Sequence, residues 1–312
     1  MEHVRWLAQP QLQRPTVVAA FTGWNDAGDA ASSAVRHLVE QWGAKALAEI
    51  DPEEFTDFAT VRPHVRLNNG ITRTIVWPTV GIWSASTPGG DVILVLGPEP
   101  ALRWRLFTEQ IVAVAKHFDA GMVLTVGALL ADVAHSKPVQ VMGTATDQEL
   151  IDRFDLQRSR YEGPTGIVGV LHDACQRAGI ASASLWAAVP AYASQLPSPK
   201  AALALVTRAC SMIGTPTPIG RLGGEATDYE TRVTTMVSDD DDLIGYVARL
   251  ETMGYDDLDD EGDRFDGQGG YFDEDDDEDE DDESFATLGE DDLDSDELMA
   301  EVEQFLREQP EQ

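Results

Sequence analysis

Hydrophobic positions in this 312-residue chain fall into two alternating textures. The first is the short unbroken apolar run, as in Thr16–Phe21 (TVVAAF) after Pro15, which predicts a strand buried on both faces. The second is a longer stretch with an apolar residue every three or four positions. Residues 26–42 carry Ala27, Ala30, Ala31, Ala34, Leu38 and Trp42 at this spacing, with Gly43 as the stop, and predict a helix. Lys45–Ile50 predicts the next strand. Strand, helix, strand implies a parallel pair joined by a right-handed crossover.

Residues 51–70 are mixed and rich in charge and turn residues. Thr72–Trp77 and Val92–Leu96 predict strands, with Gly89-Gly90-Asp91 as a turn between them. Residues 100–117 predict a helix with Trp104, Phe107, Ile111, Val114 and Ala115 on one face. Strands at 122–126, 139–142 and 184–189 alternate with helices at 147–154, 165–178 and 200–213. A last helix, Asp242–Met253, would be capped by Asp242 and would line up Leu243, Val247 and Leu250. The expected fold class is α/β, a central mixed, mostly parallel sheet covered by helices on both faces.

Charge divides the chain. The whole carries −34, yet residues 239–312 hold 33 of the 56 acids and only Arg249, Arg264 and Arg307. Residues 1–238 are close to balance, with 23 acids and 19 bases. The expected organisation is an α/β domain over 1–255, a disordered acidic linker over 256–293, and a short amphipathic helix over 294–308. The linker has too little apolar surface to offset its backbone entropy. The terminal segment places Leu298, Val302, Phe305 and Leu306 on one face, with Asp294 and Glu297 as a box-like cap. These four residues are candidates for partner binding.

Several chemistries leave no mark. No phosphate-binding loop, dinucleotide fingerprint or nucleophile elbow occurs, the six histidines are scattered, and Cys175 and Cys210 match no zinc spacing. No metal, cofactor or catalytic residue is assigned. The cysteines are expected to be buried thiols, and the chain cytoplasmic, with no secretory signal and no apolar run of the ~20 residues that span a membrane. An acidic tail opposes nucleic acid, so no nucleic-acid or membrane partner is expected.

Four segments place glycine, proline and polar residues where strands run into helices, the usual ligand position of an open α/β sheet. Phe21–Ala31 contains Gly23, Trp24, Asn25, Asp26 and Gly28, with Asn25 or Asp26 able to cap the following helix. Gly97-Pro-Glu-Pro presents Glu99 near a helix start, where a carboxylate suits the dipole. Gly127–Pro138 offers Asp132, His135 and Lys137. Tyr161–Gly166 holds Gly163, Thr165 and Gly166 and could give free N–H groups to an anion, or be a turn capped by Thr165. For each, capping and close packing stand beside ligand binding.

Together these segments, in this order and with Ser184-Leu-Trp, Val189-Pro-Ala-Tyr192 and Pro199, resemble the family named after proteasome assembly chaperone 2 (PAC2). The resemblance covers roughly 14–250, and the length and acidic tail look like the actinobacterial branch. It implies a phosphorylase/hydrolase-like fold, similar to that of purine nucleoside phosphorylases, and a homo-oligomer, with a trimer favoured. In eukaryotes and archaea such relatives help proteasome α-type subunits assemble. The chain departs from the family at Ala191, where His is expected, and at Ala134–Pro138, where Pro-His-Thr-Arg-Pro is expected. It ends Gln309-Pro-Glu-Gln312, without the hydrophobic-Tyr-x docking motif of the archaeal chaperones.

Three readings follow. The first is a non-catalytic, oligomeric assembly-chaperone-like protein, linked to proteasome α-type subunits. The second is an enzyme or sensor of nucleoside- or phosphate-like ligands, which requires Asn25, Asp26, Glu99, Asp132 and His135 to line one cleft. The third has the acidic tail mimic nucleic acid toward basic partners.

Overall fold

The computed structural model describes residues 2–68 and 71–252. In chain order the strands are β1 (Val4–Trp6), β2 (Thr16–Thr22), β3 (Lys45–Ile50), β4 (His64–Asn68), β5 (Thr72–Val76), β6 (Val80–Thr87), β7 (Gly90–Pro98), β8 (Met122–Ala131), β9 (Val141–Ala145) and β10 (Ser182–Pro190). The helices are α1 (Ala30–Gln41), α2 (Trp104–His117), α3 (Gln148–Phe154), α4 (Ile167–Arg177), α5 (Pro199–Ile213), α6 (Leu222–Ser238) and α7 (Asp241–Thr252). Eight strands form one mixed sheet in the order β1-β3-β6-β7-β2-β8-β10-β9. Its centre, β7-β2-β8-β10, is parallel, and its flanks are antiparallel.

Alternation along β2 explains the two cores. Val18 and Ala20 face α1 and α5, while Val17, Ala19 and Phe21 face α2 and α4. Both sides of β2 are sealed, so its sequence reads as an unbroken apolar run. Phe21 packs edge-on against Phe107 of α2 at 5.7 Å, and its full burial contributes about 1.5–3 kcal/mol. The face expected on α2 is the one buried, with Phe107, Ile111, Val114 and Ala115 inside.

The expected crossover needs correction. β3 does not pair with β2; it lies beyond β6 and β7, antiparallel to β6. The apolar alternation of β6 is interrupted by Gly81, Trp83 and serines, so its place between them was not evident. Sequence patterning also passed over β1, β4 and α6. Helix α6 is rich in Gly and Thr, and its buried stripe is sparse: Leu222, Ala226, Tyr229, Val233 and Val237. Its Thr227, Thr231, Thr234 and Thr235 hydroxyls donate to carbonyls one turn back, which satisfies them within the helix. The cap of α7 is Asp240, whose carboxylate accepts from the Asp242 and Leu243 N–H groups at 3.0 and 3.1 Å, rather than Asp242.

Among the described residues, strands β4 and β5 pair only with each other, as a hairpin outside the main sheet. No helix among the described residues is long and apolar enough to cross a membrane. The segments expected as linker (256–293) and amphipathic helix (294–308) lie outside the described residues.

Candidate functional site at the strand carboxyl ends

The loop after β2 begins with Gly23 at φ +120°, a left-handed turn that disfavours any side chain. It directs Asn25 and Asp26 inward, 1 % and 5 % exposed. The Asn25 carbonyl accepts from the Ala128 N–H at 2.9 Å, which ties the loop to β8. One Asp26 carboxylate oxygen accepts from the Ala31 and Ser32 N–H groups at 2.7 and 3.0 Å, so Asp26 caps α1. Burial pushes the Asp26 carboxyl above its ordinary pKa, against the lowering effect of those hydrogen bonds. At Gly28, φ +56°, an added Cβ would lie 3.0 Å from the Ser198 Cβ, and the Gly28 carbonyl accepts the Ser198 N–H at 2.7 Å.

Glu99 extends β7 by donating its N–H to the Thr22 carbonyl. Its carboxylate accepts from the Asn25 side-chain amide at 2.7 Å and from the Ile167 N–H at 2.8 Å. The helix it serves is therefore α4, not the nearer α2. Helix α4 has Gly166 at its N-cap and no side-chain cap of its own, so Thr165 does not fill that role. A carboxylate from a distant strand satisfies its first N–H and complements its dipole. Gly166 is required by the fit: a Cβ there would lie 2.3 Å from the Asn25 side-chain oxygen. Thr165 instead lies over the first turn of α4, against Gly169, and Gly163 makes room for the Tyr161 ring, whose hydroxyl donates to the Pro164 carbonyl.

Asp132 and His135 belong to a second set of contacts. The His135 ring is buried between Tyr192 (Nδ1 to hydroxyl, 2.8 Å) and Thr234 of α6 (Nε2 to hydroxyl, 2.9 Å). The Thr234 hydroxyl donates to the Glu230 carbonyl, so the ring donates from Nε2 and accepts the Tyr192 hydroxyl at Nδ1. Burial first, and the Lys200 ammonium second, hold the His135 pKa below its ordinary value. Lys200 donates to the His135 carbonyl and pairs with Glu230 at 2.8 Å. Asp132 accepts the Tyr246 hydroxyl at 2.6 Å, Ser136 donates to Glu251, and Lys137 donates to the Leu250 carbonyl. These contacts fasten α6 and α7 to the segment after β8. Lys200, Thr234, Glu230 and Tyr246 carried no sequence signal, because their partners lie 65 to 114 residues away or on an unrecognised helix.

The candidate residues thus form two sets, Asn25, Asp26, Glu99 and Gly166 in one and Asp132 and His135 in the other. Both are engaged by the protein's own backbone and side chains, with Asn25 Oδ1 and Asp26 Oδ2 left buried without a hydrogen-bond partner among the described residues. The cavity beside this rim, lined by Ile50, Pro52, Phe55, Pro98, Pro100 and Phe107, holds about 10 Å³, roughly one water. The rim exposes apolar side chains beside charged ones such as Arg103, Asp132, Arg160 and Glu162. Trp24 follows β2, Leu102 follows β7, Leu130 lies at the end of β8 and Tyr161 precedes α4, each between 41 and 52 % exposed.

A family model described as the PAC2 family matches residues 20–237. The chain is similar to the crystal structure of a PAC2 family protein from Streptomyces avermitilis, with 43 % identity and a TM-score of 0.70 over 75 % of this chain and 99 % of that one. It is also similar to the Mycobacterium tuberculosis proteasome-assembly chaperone homologue, with 44 % identity and a TM-score of 0.68 over 74 % of this chain and 99 % of that one. The Pyrococcus furiosus proteasome activator PbaB shares the fold at 15 % identity and a TM-score of 0.62, over 75 % of this chain and 97 % of that one. No curated protein sequence matches. From its opening central strand to the end of α6, the chain carries the family pattern, and it is a member of the PAC2 family.

Proposed function

We propose that this protein is an assembly-chaperone-like binder of other protein subunits, with proteasome α-type subunits as its partner. The support is family membership, together with similarity to a structure described as a proteasome-assembly chaperone homologue. One observation carries the reading at this chain's own residues. At the carboxyl ends of the parallel strands Asn25, Asp26 and Glu99 bond within the fold, whereas Trp24, Leu102, Leu130 and Tyr161 are left exposed. Aromatic anchors on a well-braced rim are the residue types that dominate protein interfaces. Binding would bury this rim against an apolar patch of an unassembled subunit, shielding it until its permanent neighbour arrives.

In the same proposal the protein acts as a homo-oligomer in the cytoplasm, a trimer that presents several rims at once. The acidic residues 256–293 keep the complex soluble. The test uses full-length protein and purified α-type subunits of the same organism, read by titration calorimetry. Binding that weakens at least tenfold in Trp24→Ala, with folding unchanged, supports the proposal. Affinity that is undetectable, or indifferent to Trp24 and Tyr161, overturns it.

A further inference from the structure

Two exposed faces have no cover among the described residues. The first belongs to the β4–β5 hairpin. Seven of the fifteen exposed large hydrophobic side chains among the described residues fall between 61 and 77, so apolar exposure is concentrated there. Val65, Leu67 and Ile75 share one face of the hairpin, with Val65 directly opposite Ile75, and they are 62, 56 and 54 % exposed. Arg73 lies on that same face, opposite Leu67, and makes no ion pair among the described residues. Residues 58–90 contain no Asp or Glu, so the face is apolar and cationic. Seven half-exposed side chains of this size present on the order of 500 Å². The largest apolar patch of a typical monomer is ~300–600 Å², and one side of a stable interface is ~800 Å². A lone two-stranded hairpin is marginal in water and needs a further element on its apolar face.

The second face is the outward side of α7. Asp241, Ile244, Gly245 and Ala248 recur at helical spacing and line one side of the helix, and all four are exposed, whereas Val247 and Leu250 are buried. Gly245 has open space where a side chain would stand, so another backbone can approach closely. Asp239, Asp240, Asp241 and Asp242, at the α6–α7 corner, are exposed and form the longest run of acids among the described residues. We propose that the hairpin of one copy packs on α7 of a second copy. Val65, Leu67 and Ile75 cover Ile244, Gly245 and Ala248, and Arg73 meets the acids of the corner. A helix laid on the apolar face of a hairpin is the second layer that the hairpin lacks. Charge selects this pairing over hairpin on hairpin, which would set each Arg73 against a surface without acids. The two surfaces differ, so the contact is head to tail, and it closes into a ring where the rotation between copies allows. It rests on the homo-oligomer proposed above, gives that oligomer an interface, and uses none of the strand-end rim residues.

The test uses the full-length protein alone, followed by sedimentation velocity from about 1 to about 100 μM, the range in which mass action populates a micromolar association. The charge reversals sit where they spare the fold. Arg73 is exposed, and Asp239 lies at the carboxyl end of α6, where a cation suits the dipole, while Asp240 keeps its role as the cap of α7. Arg73→Glu and Asp239→Arg are each expected to weaken self-association by about tenfold or more, since each sets like charges together. The double variant should recover to within about threefold of wild type. Leu67→Ser with Ile75→Ser, which keeps every charge, should abolish association. A wild type that associates while every variant matches it overturns this interface and leaves the homo-oligomer standing. Single variants that weaken association with no recovery in the double variant overturn α7 as the occupant. A wild type that stays monomeric throughout overturns the interface and the homo-oligomer together.

Discussion

Replacing Glu99 separates a structural carboxylate from a ligand-binding one. In Glu99→Ala, the Ile167 N–H and the buried Asn25 amide lose their common acceptor. Loss of a helix cap costs about 0.5–2 kcal/mol, and leaving a buried amide unpaired costs about 1–3 kcal/mol. Glu99 is itself half-buried, so water recovers part of this, and a total of about 2–4 kcal/mol is expected. Glu99→Gln keeps an acceptor and loses only the charge at the start of α4, which costs about 0.3–1 kcal/mol. Asn25→Ala combined with Glu99→Ala should be less than additive by about 1–2 kcal/mol, since both remove one contact. The assay is urea denaturation followed by circular dichroism. A carboxylate kept for ligand chemistry would give the opposite result, because removing such groups commonly leaves stability unchanged or raised. An Ala variant as stable as wild type would refute the assignment of Glu99 to the fold.

Gly166→Ala should destabilise by about 1–3 kcal/mol in the same assay, since the new methyl collides with Asn25 and the backbone φ of −89° adds no strain. His135 and His172 both have pKa values lowered mainly by burial. The unfolded chain then binds more protons below about pH 6.5, so stability should fall from there through the folded-state pKa values and flatten below them, as checked by thermal melts against pH. His135→Gln should flatten part of that slope. The thiols of Cys175 and Cys210 are buried and pushed up to about 12 and 11, so a thiol reagent at pH 8 should react with neither until denaturant is added.

Elements whose signal is local were legible in the sequence. Unbroken apolar runs gave β2, β8 and β10, and periodicity gave the buried face of α2. Asp26 as a cap of α1 followed from its position in the sequence. Long-range facts were not legible. The carboxylate that caps α4 lies 68 residues upstream of Ile167, and nothing near Gly166 announces it. Helix α6 escaped because its stripe is thin and its threonines read as poor helix formers, while Tyr229 and Val233 earn their place by packing under Tyr192 and Leu196. Of the hairpin, β5 was legible as Thr72–Trp77, while β4 escaped because Val65 and Leu67 alternate with Arg66 at the end of a charge- and turn-rich stretch.

The central claim is that the strand-end rim is a protein-docking face whose polar residues belong to the fold. Its most direct test is hydrogen exchange of the full-length protein with and without a saturating proteasome α-type subunit. Slowed exchange is expected at residues 23–26, 100–103 and 159–163, with residues 64–76 unchanged. Protection confined to any other surface, with those three loops untouched, would contradict it.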